Sequence, residues 1–434
     1  MVKLFNTASN PGKKWLIAVV LGLGVLVNYI DRVNLSVAHG ALTNEFGISD
    51  ITFGWLLSAY NFTYAICQIP MGLLIDRFGV RRLGCCSAAL VTAASLIASL
   101  SPNIGSLFVA RFFLGIGESP LFPANAKAVG KWFSPGQRGR ATSAFDSAAK
   151  LASGVGIPLV GLMLLKFGWR WSFAATGVGT FLYFLLFAKI YRDPGEDASP
   201  SAAAMGGAAL RGNAAPMTEW TLTLPQLLGQ PRVIGLAIAM LSYNYTFYMV
   251  LTWLPTYLAR QMHIDLMHSF LYTGIPWIIA TFVEILFGGF LLDWLVSRSS
   301  RPGRLRMYVV AAGLLCGLGI AGASFTHSVS SAVFWITVSI AGTAAATPCI
   351  WSAPSLIVPE SNVGTVGSIM NFSGQCAGIC APICTGYLVT VTHSFAAAFL
   401  VAAAILLIGT LACVLLVRSI EPIHLGGARI LHST

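Results

Sequence analysis

The sequence predicts an all-α integral membrane protein with about twelve transmembrane helices in two six-helix halves. Three observations carry that prediction. Of the 434 residues, 56% are hydrophobic and 9% charged, too apolar for a soluble chain that must cover its surface with polar side chains. Apolar runs long enough to cross a hydrocarbon core of roughly 30 Å follow one another almost end to end. A single long polar segment near the middle leaves six such runs on each side.

The runs lie near 15–37, 52–75, 82–101, 105–127, 141–164, 171–190, 233–258, 268–296, 307–326, 330–357, 363–389 and 394–417. The first is followed directly by others and has no small-residue cleavage site, so it reads as a membrane helix rather than a removed signal, and the mature chain is expected to begin near Met1. The polar segment, DPGEDASPSAAAMGGAALRGNAAPMTEW within 193–232, is rich in Ala, Gly, Ser and Pro and reads as a linker. The expected organisation is an N-terminal half over 1–192, a linker over 193–232, a C-terminal half over 233–417 and a tail over 418–434.

The net charge of +11 is a topological signal rather than a nucleic-acid footprint. With an even number of helices both ends share a side, and that side collects Lys13, Lys14, Arg81, Arg82, Lys127, Lys131, Arg298, Arg301, Arg304 and Arg306 among others. The opposite side keeps Lys166, Arg170 and Arg260. Both termini are therefore expected in the cytoplasm, with the protein in a bacterial-type cytoplasmic membrane, lipid as its surroundings and a monomer as its state. The nine cysteines imply no disulfide framework. Cys376, Cys380 and Cys384 recur every four residues on one predicted helix, as small residues at a helix contact do, and no metal site is expected.

The halves carry an internal repeat. GLLIDRFGVRR, with Gly72, Asp76, Arg77, Gly79 and Arg81, follows the second run; GFLLDWLVSRSSRPGR, with Gly289 and Asp293, follows the eighth, half a chain length later. Each unit is a Gly, an Asp four residues on, and a basic cluster, the pattern of a duplicated carrier with its site between the halves.

GLLIDRFGVRR resembles the signature loop between helices two and three of the major facilitator superfamily, and the resemblance covers nearly the whole chain. YIDRVNLSVA, GIGESPLFPANAKAVGKWF, TWLPTYL, and WSAPSLIVPES followed by GSIMNFSGQCAG resemble its anion:cation symporter family. That family includes bacterial transporters for hexuronate, glucarate and galactonate and the animal sialic-acid and vesicular glutamate carriers. The resemblance implies the major facilitator fold and proton-coupled symport of a small organic anion, a sugar acid or related carboxylate, by alternating access. The proton gradient is the driving force and no cofactor is implied. Anion exchange, or import of an aromatic or dicarboxylic acid, is the alternative.

Ionisable side chains at membrane depth are expensive and read as functional by default. They are Asp31, Arg32, Arg111, Glu118, Asp146, Lys150 and Glu284. Arg111 and Glu118, two turns apart on one helix, share a face, whereas Asp31 and Arg32 are about 100° apart and point different ways. Burial favours a carboxyl's neutral form and a nearby guanidinium its charged form, so carboxylates held between those influences suit proton exchange, while arginine stays charged throughout. The resemblance implies that Asp31 and Glu118 bind protons with Arg32 and Arg111 in support. It places substrate contacts on Tyr29, Tyr64, Trp351 and Asn371. Gln375 lies one turn beyond Asn371, and the two amides suit a polyhydroxylated ligand. Asn244, Tyr245 and Tyr248 put polar groups in the seventh run, and Tyr248 occupies the position that repeats Asp31.

The chain departs from galactonate-type members at three places: Ala149 beside Lys150 where they have glutamine, Met240 in place of another, and Pro348 where a serine would stand. These departures point away from gluconate-like recognition. Lys150 either pairs with Asp146 one turn away or supplies a second cationic anchor for substrate; Glu284 is either a third proton site or bonded to a neighbouring helix. SGVGIPLVG in the fifth run, with Gly154, Gly156, Pro158 and Gly161, resembles the Gly/Pro motif of exchangers, and small residues also serve close helix packing. An enzyme is not expected: HExxH is absent, and GLGIAG and GIGESP lie inside apolar runs. The linker and tail are too short to hold a signalling domain.

Overall fold

The computed structural model describes residues 11–133, 135–193, 222–358 and 360–423, and these are helical almost throughout. The N-terminal half comprises α1 (Pro11–Val37), the short α2 (His39–Phe46), α3 (Asp50–Phe78), α4 (Val80–Ser99), α5 (Ile104–Glu118), α6 (Leu121–Trp132), α7 (Pro135–Phe167) and α8 (Trp169–Ile190). Residues 194–221 of the expected linker lie outside the described residues. The C-terminal half begins with the short α9 (Leu224–Leu228) and α10 (Pro231–Arg260). α11 (Leu266–Val283) runs on as a π-helical stretch, Glu284–Leu291, into α12 (Leu292–Arg298). α13 (Pro302–Gly317) with its 3-10 extension Leu318–Ser324, α14 (Val329–Ile357), α15 (Glu360–Thr392) and α16 (Ala396–Ala412) complete it.

Among the described residues eleven spans are long and apolar enough to cross a membrane, and α3, with 29 residues, is a further long helix. Rows of large apolar side chains stay exposed, such as Val178, Leu182 and Leu185 on α8 and Leu407, Ile408 and Leu411 on α16. Such a surface is stable against lipid, not water. The fourth apolar run is built from two helices. Asn103 caps α5, its Oδ1 accepting the Ser106 amide at 3.0 Å, and the chain breaks at Ser119-Pro120 before α6 resumes.

Turns form where the sequence permits them. Gly47 closes α2 at φ 63° and Gly79 joins α3 to α4 at φ 84°, a region that favours glycine. At the second of these, inside the signature loop, the Gly79 amide donates to Ile75 O at 3.0 Å. The Arg81 amide donates to Asp193 Oδ2 at 3.1 Å and its guanidinium to Ala188 O at 3.1 Å. Asp193 also meets Lys131 Nζ at 3.1 Å. Nothing in the sequence singled out Asp193, yet it anchors this loop to the last turn of the N-terminal half. Gly72 and Arg77 lie on α3, and Gly289 lies in the π-helical stretch. The side chains of Asp76 and Asp293 are outside the described residues.

The halves meet where α1 packs on α10, α3 on α15, and α7 on α11 and the π-helical stretch that continues it. Ser58 donates to Ile379 O at 2.8 Å and Asn61 to Gly378 O at 2.9 Å. Gly154 and Gly274 let α7 and α11 touch backbone to backbone, and Gly161 accepts the Phe270 ring. Among the described residues these contacts reach from the Asp50 end of α3 as far as Asn61, and along α7 from Gly161 back to Lys150.

Candidate functional site

The membrane-depth charges, scattered from 31 to 284 in sequence, gather into two groups, one around Arg32 and Glu118 and one around Lys150 and Glu284. In the first group, Arg32 Nε lies 2.6 Å from Glu118 Oε2, with both side chains almost wholly buried. Tyr60 Oη donates to the same oxygen at 2.9 Å. The Arg32 guanidinium lies over three tyrosine rings, 4.3 Å from Tyr29, 4.8 Å from Tyr60 and 5.4 Å from Tyr64. Aromatic faces stabilise a cation whose water has been removed, so the rings hold this guanidinium in place without adding formal charge. Glu118 Oε1 and Arg32 Nη2 are buried without a hydrogen-bond partner, which leaves bonding capacity unfilled at the pair.

Asp31 turns the other way, as the 100° step along α1 requires. It accepts hydrogen bonds from Ser95 on α4 and from Thr176 Oγ1 on α8, the latter at 2.9 Å. Asn34 extends the chain, donating to Thr176 Oγ1 at 3.2 Å and accepting from Ser172 at 2.7 Å. Arg111, 4% exposed, sits within the fields of Asp31 and Glu118 and 5.5 Å from the Phe173 ring. Its Nε and Nη2 have no hydrogen-bond partner. The four formal charges of this group thus cancel overall, two carboxylates against two guanidinia.

The second group spans the seam. Lys150 on α7 places Nζ 2.6 Å from Glu284 Oε2 at the start of the π-helical stretch, and 3.7 Å from Asp146 Oδ2 one turn away. The i,i+4 partner offered by the sequence is present, but the tighter partner comes from the other half.

Of the remaining predicted residues, Tyr248 and Gln375 lie beside the first group, and no contact ties Asn244, Asn371 or Trp351 to either group among the described residues. Tyr248, buried on α10, lies near Arg32 and Gln375 and packs against Gly378. Gln375 is buried with Oε1 unpartnered. Asn244 donates to its own helix at Met240 O, 2.9 Å away, and packs against Gly374. Asn371 is half-buried one turn from Gln375, and Trp351 is 39% exposed. Tyr60, Ser95 and Thr176 were missed by the sequence reading. They carry no charge and sit in apolar helices, where only the packing shows that they face a carboxylate. Cys380 and Cys384 are exposed and Cys376 half-buried.

At the Asp50 end of α3 a third polar cluster links the halves. His39 Nδ1 lies 2.9 Å from Thr256 Oγ1, and Nε2 3.1 Å from Asp50 Oδ1. Asp50 also pairs with Arg260 at 2.8 Å, and the imidazole stacks on Phe53 with centroids 3.7 Å apart. Burial pushes the His39 pKa below the ordinary histidine value, with the Asp50 carboxylate opposing. The joined form therefore binds fewer protons at His39 than a form in which the ring is hydrated. Acid favours separation of this end as pH falls below about 6.5, and the effect levels off below the lowered value. Spin labels at Asn44 and His263 should move apart on acidification over that range. His39→Gln should abolish the shift; an unaltered response in that variant would remove His39 from the cause.

A duplicated membrane bundle whose buried charges converge on the seam between its halves has the architecture of a secondary carrier. Comparisons with known proteins agree. Residues 21–381 match the family model of the Major Facilitator Superfamily, and the chain belongs to that superfamily. It is 34% identical to the uncharacterized transporter YybO of Bacillus subtilis (strain 168), over 96% of this chain and 97% of that protein. It is 30% identical to the D-galactonate transporter of Escherichia coli O6:H1 (strain CFT073), covering 95% and 98%. The hexuronate transporter of Bacillus subtilis (strain 168) is 28% identical, covering 93% and 94%. Among solved structures, a bacterial homologue of the human lysosomal transporter Spinster, in an inward-facing and occupied conformation, superposes with a TM-score of 0.75 at 16% identity, covering 95% and 98%. The fold is shared. The protein is a multi-pass membrane transporter, and its family and relatives are transporters rather than enzymes.

Proposed function

We propose that the protein is a proton-coupled symporter that imports a small organic anion of the sugar-acid type by alternating access. The observation that carries this reading is the buried Arg32–Glu118 pair. Its guanidinium is the natural partner of a substrate carboxylate, and Glu118 already occupies it. Protonation of Glu118 weakens its hold on Arg32 and frees the guanidinium for the substrate. Substrate binding in turn keeps Glu118 neutral, because a second anion beside it disfavours its charged form. Proton and anion therefore bind together or not at all.

Asp31 completes the balance. When ionised it compensates Arg111; when protonated it leaves a net positive site that attracts the anion. Tyr29, Tyr64, Tyr248, Gln375 and Asn371 supply neutral donors and acceptors for hydroxyl and carboxyl oxygens. Names of relatives support the substrate class: one is a D-galactonate transporter, another a hexuronate transporter. The Phe78 end of α3 carries basic loop residues, and by the positive-inside rule it faces the cytoplasm, with both termini on that side of the inner membrane. No cofactor enters, and the fold needs no second copy for this cycle.

The test is uptake of galactonate and hexuronate by proteoliposomes under an imposed pH gradient. Asp31→Asn and Glu118→Gln should lose gradient-driven accumulation while retaining counterflow. Full accumulation in both variants would overturn the coupling. Exchange would show instead as counterflow in the wild type with no net uptake under any gradient.

A further inference from the structure

The cluster formed by Asp146, Lys150 and Glu284 is not used by the cycle above. It sits on the same seam, on helices adjacent to those of the Arg32 site: α7 packs along α1, with Gly156 against Ile30. Tyr29 connects the two groups, its ring beneath Arg32 at 4.3 Å and its hydroxyl within the field of Asp146. The charged and titratable groups facing the cluster are Asp146 and Lys150 from α7, Glu284 from the π-helical stretch and Tyr243 from α10. Lys150 is 3% and Glu284 5% exposed, while the Asp146 side chain is 20% exposed, so the cluster is reached from its Asp146 side. Glu284 opens a π-helical turn, a local geometry found disproportionately at functional positions.

Two carboxylates share one ammonium here, so with both ionised the cluster would carry one uncompensated negative charge, and a buried excess charge is costly. In that form it cannot take up an anion. Once Glu284 is protonated, Asp146 alone balances Lys150, and the ammonium can turn to a second anionic group without recharging the seam. We propose that Lys150 and Glu284 form a second, proton-dependent subsite that reads the distal carboxylate of a dicarboxylate whose first carboxylate lies at Arg32. The inference rests on the proposed symport.

The charge balance gives it a definite form. The seven membrane-depth groups comprise four carboxylates, two guanidinia and one ammonium. Protons on Asp31 and Glu118 leave a single positive charge, which a monocarboxylate neutralises. A third proton, on Glu284, leaves two, which a dicarboxylate neutralises. A dicarboxylate is therefore carried with one more proton than a monocarboxylate of the same skeleton, and Glu284 holds that proton.

The experiment compares galactonate with galactarate in proteoliposomes of the full-length protein, measuring apparent affinity and the proton-to-substrate ratio from reversal potentials. In the wild type the ratio should be larger by one for galactarate. Removing one member of a buried ion pair can destabilise the fold, so the informative variant is the doubly neutral Lys150→Gln, Glu284→Gln, which leaves no unpaired partner in that pair. It should lower galactarate affinity at least about tenfold more than galactonate affinity, or ~1.4 kcal/mol of selectivity, and equalise the two proton ratios. Equal ratios in the wild type, or a parallel loss for both substrates in the double variant, would overturn the subsite and leave a tie between helices. Glu118→Gln under the same gradient reports separately on the symport itself.

Discussion

Arg32→Gln should abolish transport. The substitution leaves Glu118 buried beside an amide in place of a guanidinium 2.6 Å away, and removing one partner of a buried pair costs about 3–5 kcal/mol when the other charge stays behind. Glu118 escapes that penalty by keeping a proton, which removes the exchange step the cycle needs. The three tyrosines facing Arg32 lose their cation as well. Substrate affinity should fall at least about a hundredfold, the scale expected for the loss of a desolvated charge partner, and pH dependence should flatten. Arg32→Lys separates charge from geometry, since an ammonium keeps the charge without the planar fork. Binding measured by thermal stabilisation against galactonate, with uptake alongside, checks both. Wild-type affinity in Arg32→Gln would place the substrate elsewhere.

Gly274→Leu has the second large effect, through packing rather than charge. A Cβ at Gly274 would lie 2.4 Å from Gly154 O and 3.2 Å from Pro158 Cγ. The first neighbour is backbone, so no side-chain rotation relieves the clash, and the helices themselves must part. Because α7 and α11 belong to different halves, the wedge opens this contact between them and disfavours the state seen here. Uptake should fall to background while the protein stays folded, and spin labels at Asn44 and His263 should shift to longer distances. Gly179→Leu is the control, because a Cβ there meets nothing within 4 Å. Normal uptake by Gly274→Leu would show that this contact is not required during the cycle.

Much of this is legible in the amino-acid sequence. The apolar runs, the central polar break and the repeated glycine-aspartate-basic unit point to a duplicated membrane bundle, and the family match covers residues 21–381. Hydrocarbon imposes that legibility, since a spanning segment must be apolar, about twenty residues long and internally hydrogen-bonded. The same cost makes each intramembrane charge conspicuous, so the seven charged residues stood out singly. Helical geometry alone also foresaw that Asp31 and Arg32 diverge.

Partnership was not legible. Arg32 and Glu118 are 86 residues apart, and nothing local says that Arg32 meets Glu118 while Asp31 meets Ser95 and Thr176. Lys150 had a ready partner in Asp146 at the right spacing, yet the tighter contact is Glu284, from the other half. The sequence alone determined the membrane, the duplication, the inventory of charges and the direction each takes from its own helix axis. These follow from period, hydropathy and composition along one chain. Only the tertiary structure decided which charges neutralise one another, which neutral hydroxyls serve them and where the halves touch. Those outcomes depend on how rigid helices cross, and crossing is set by small residues such as Gly154 and Gly274, whose effect appears only once two surfaces are brought together.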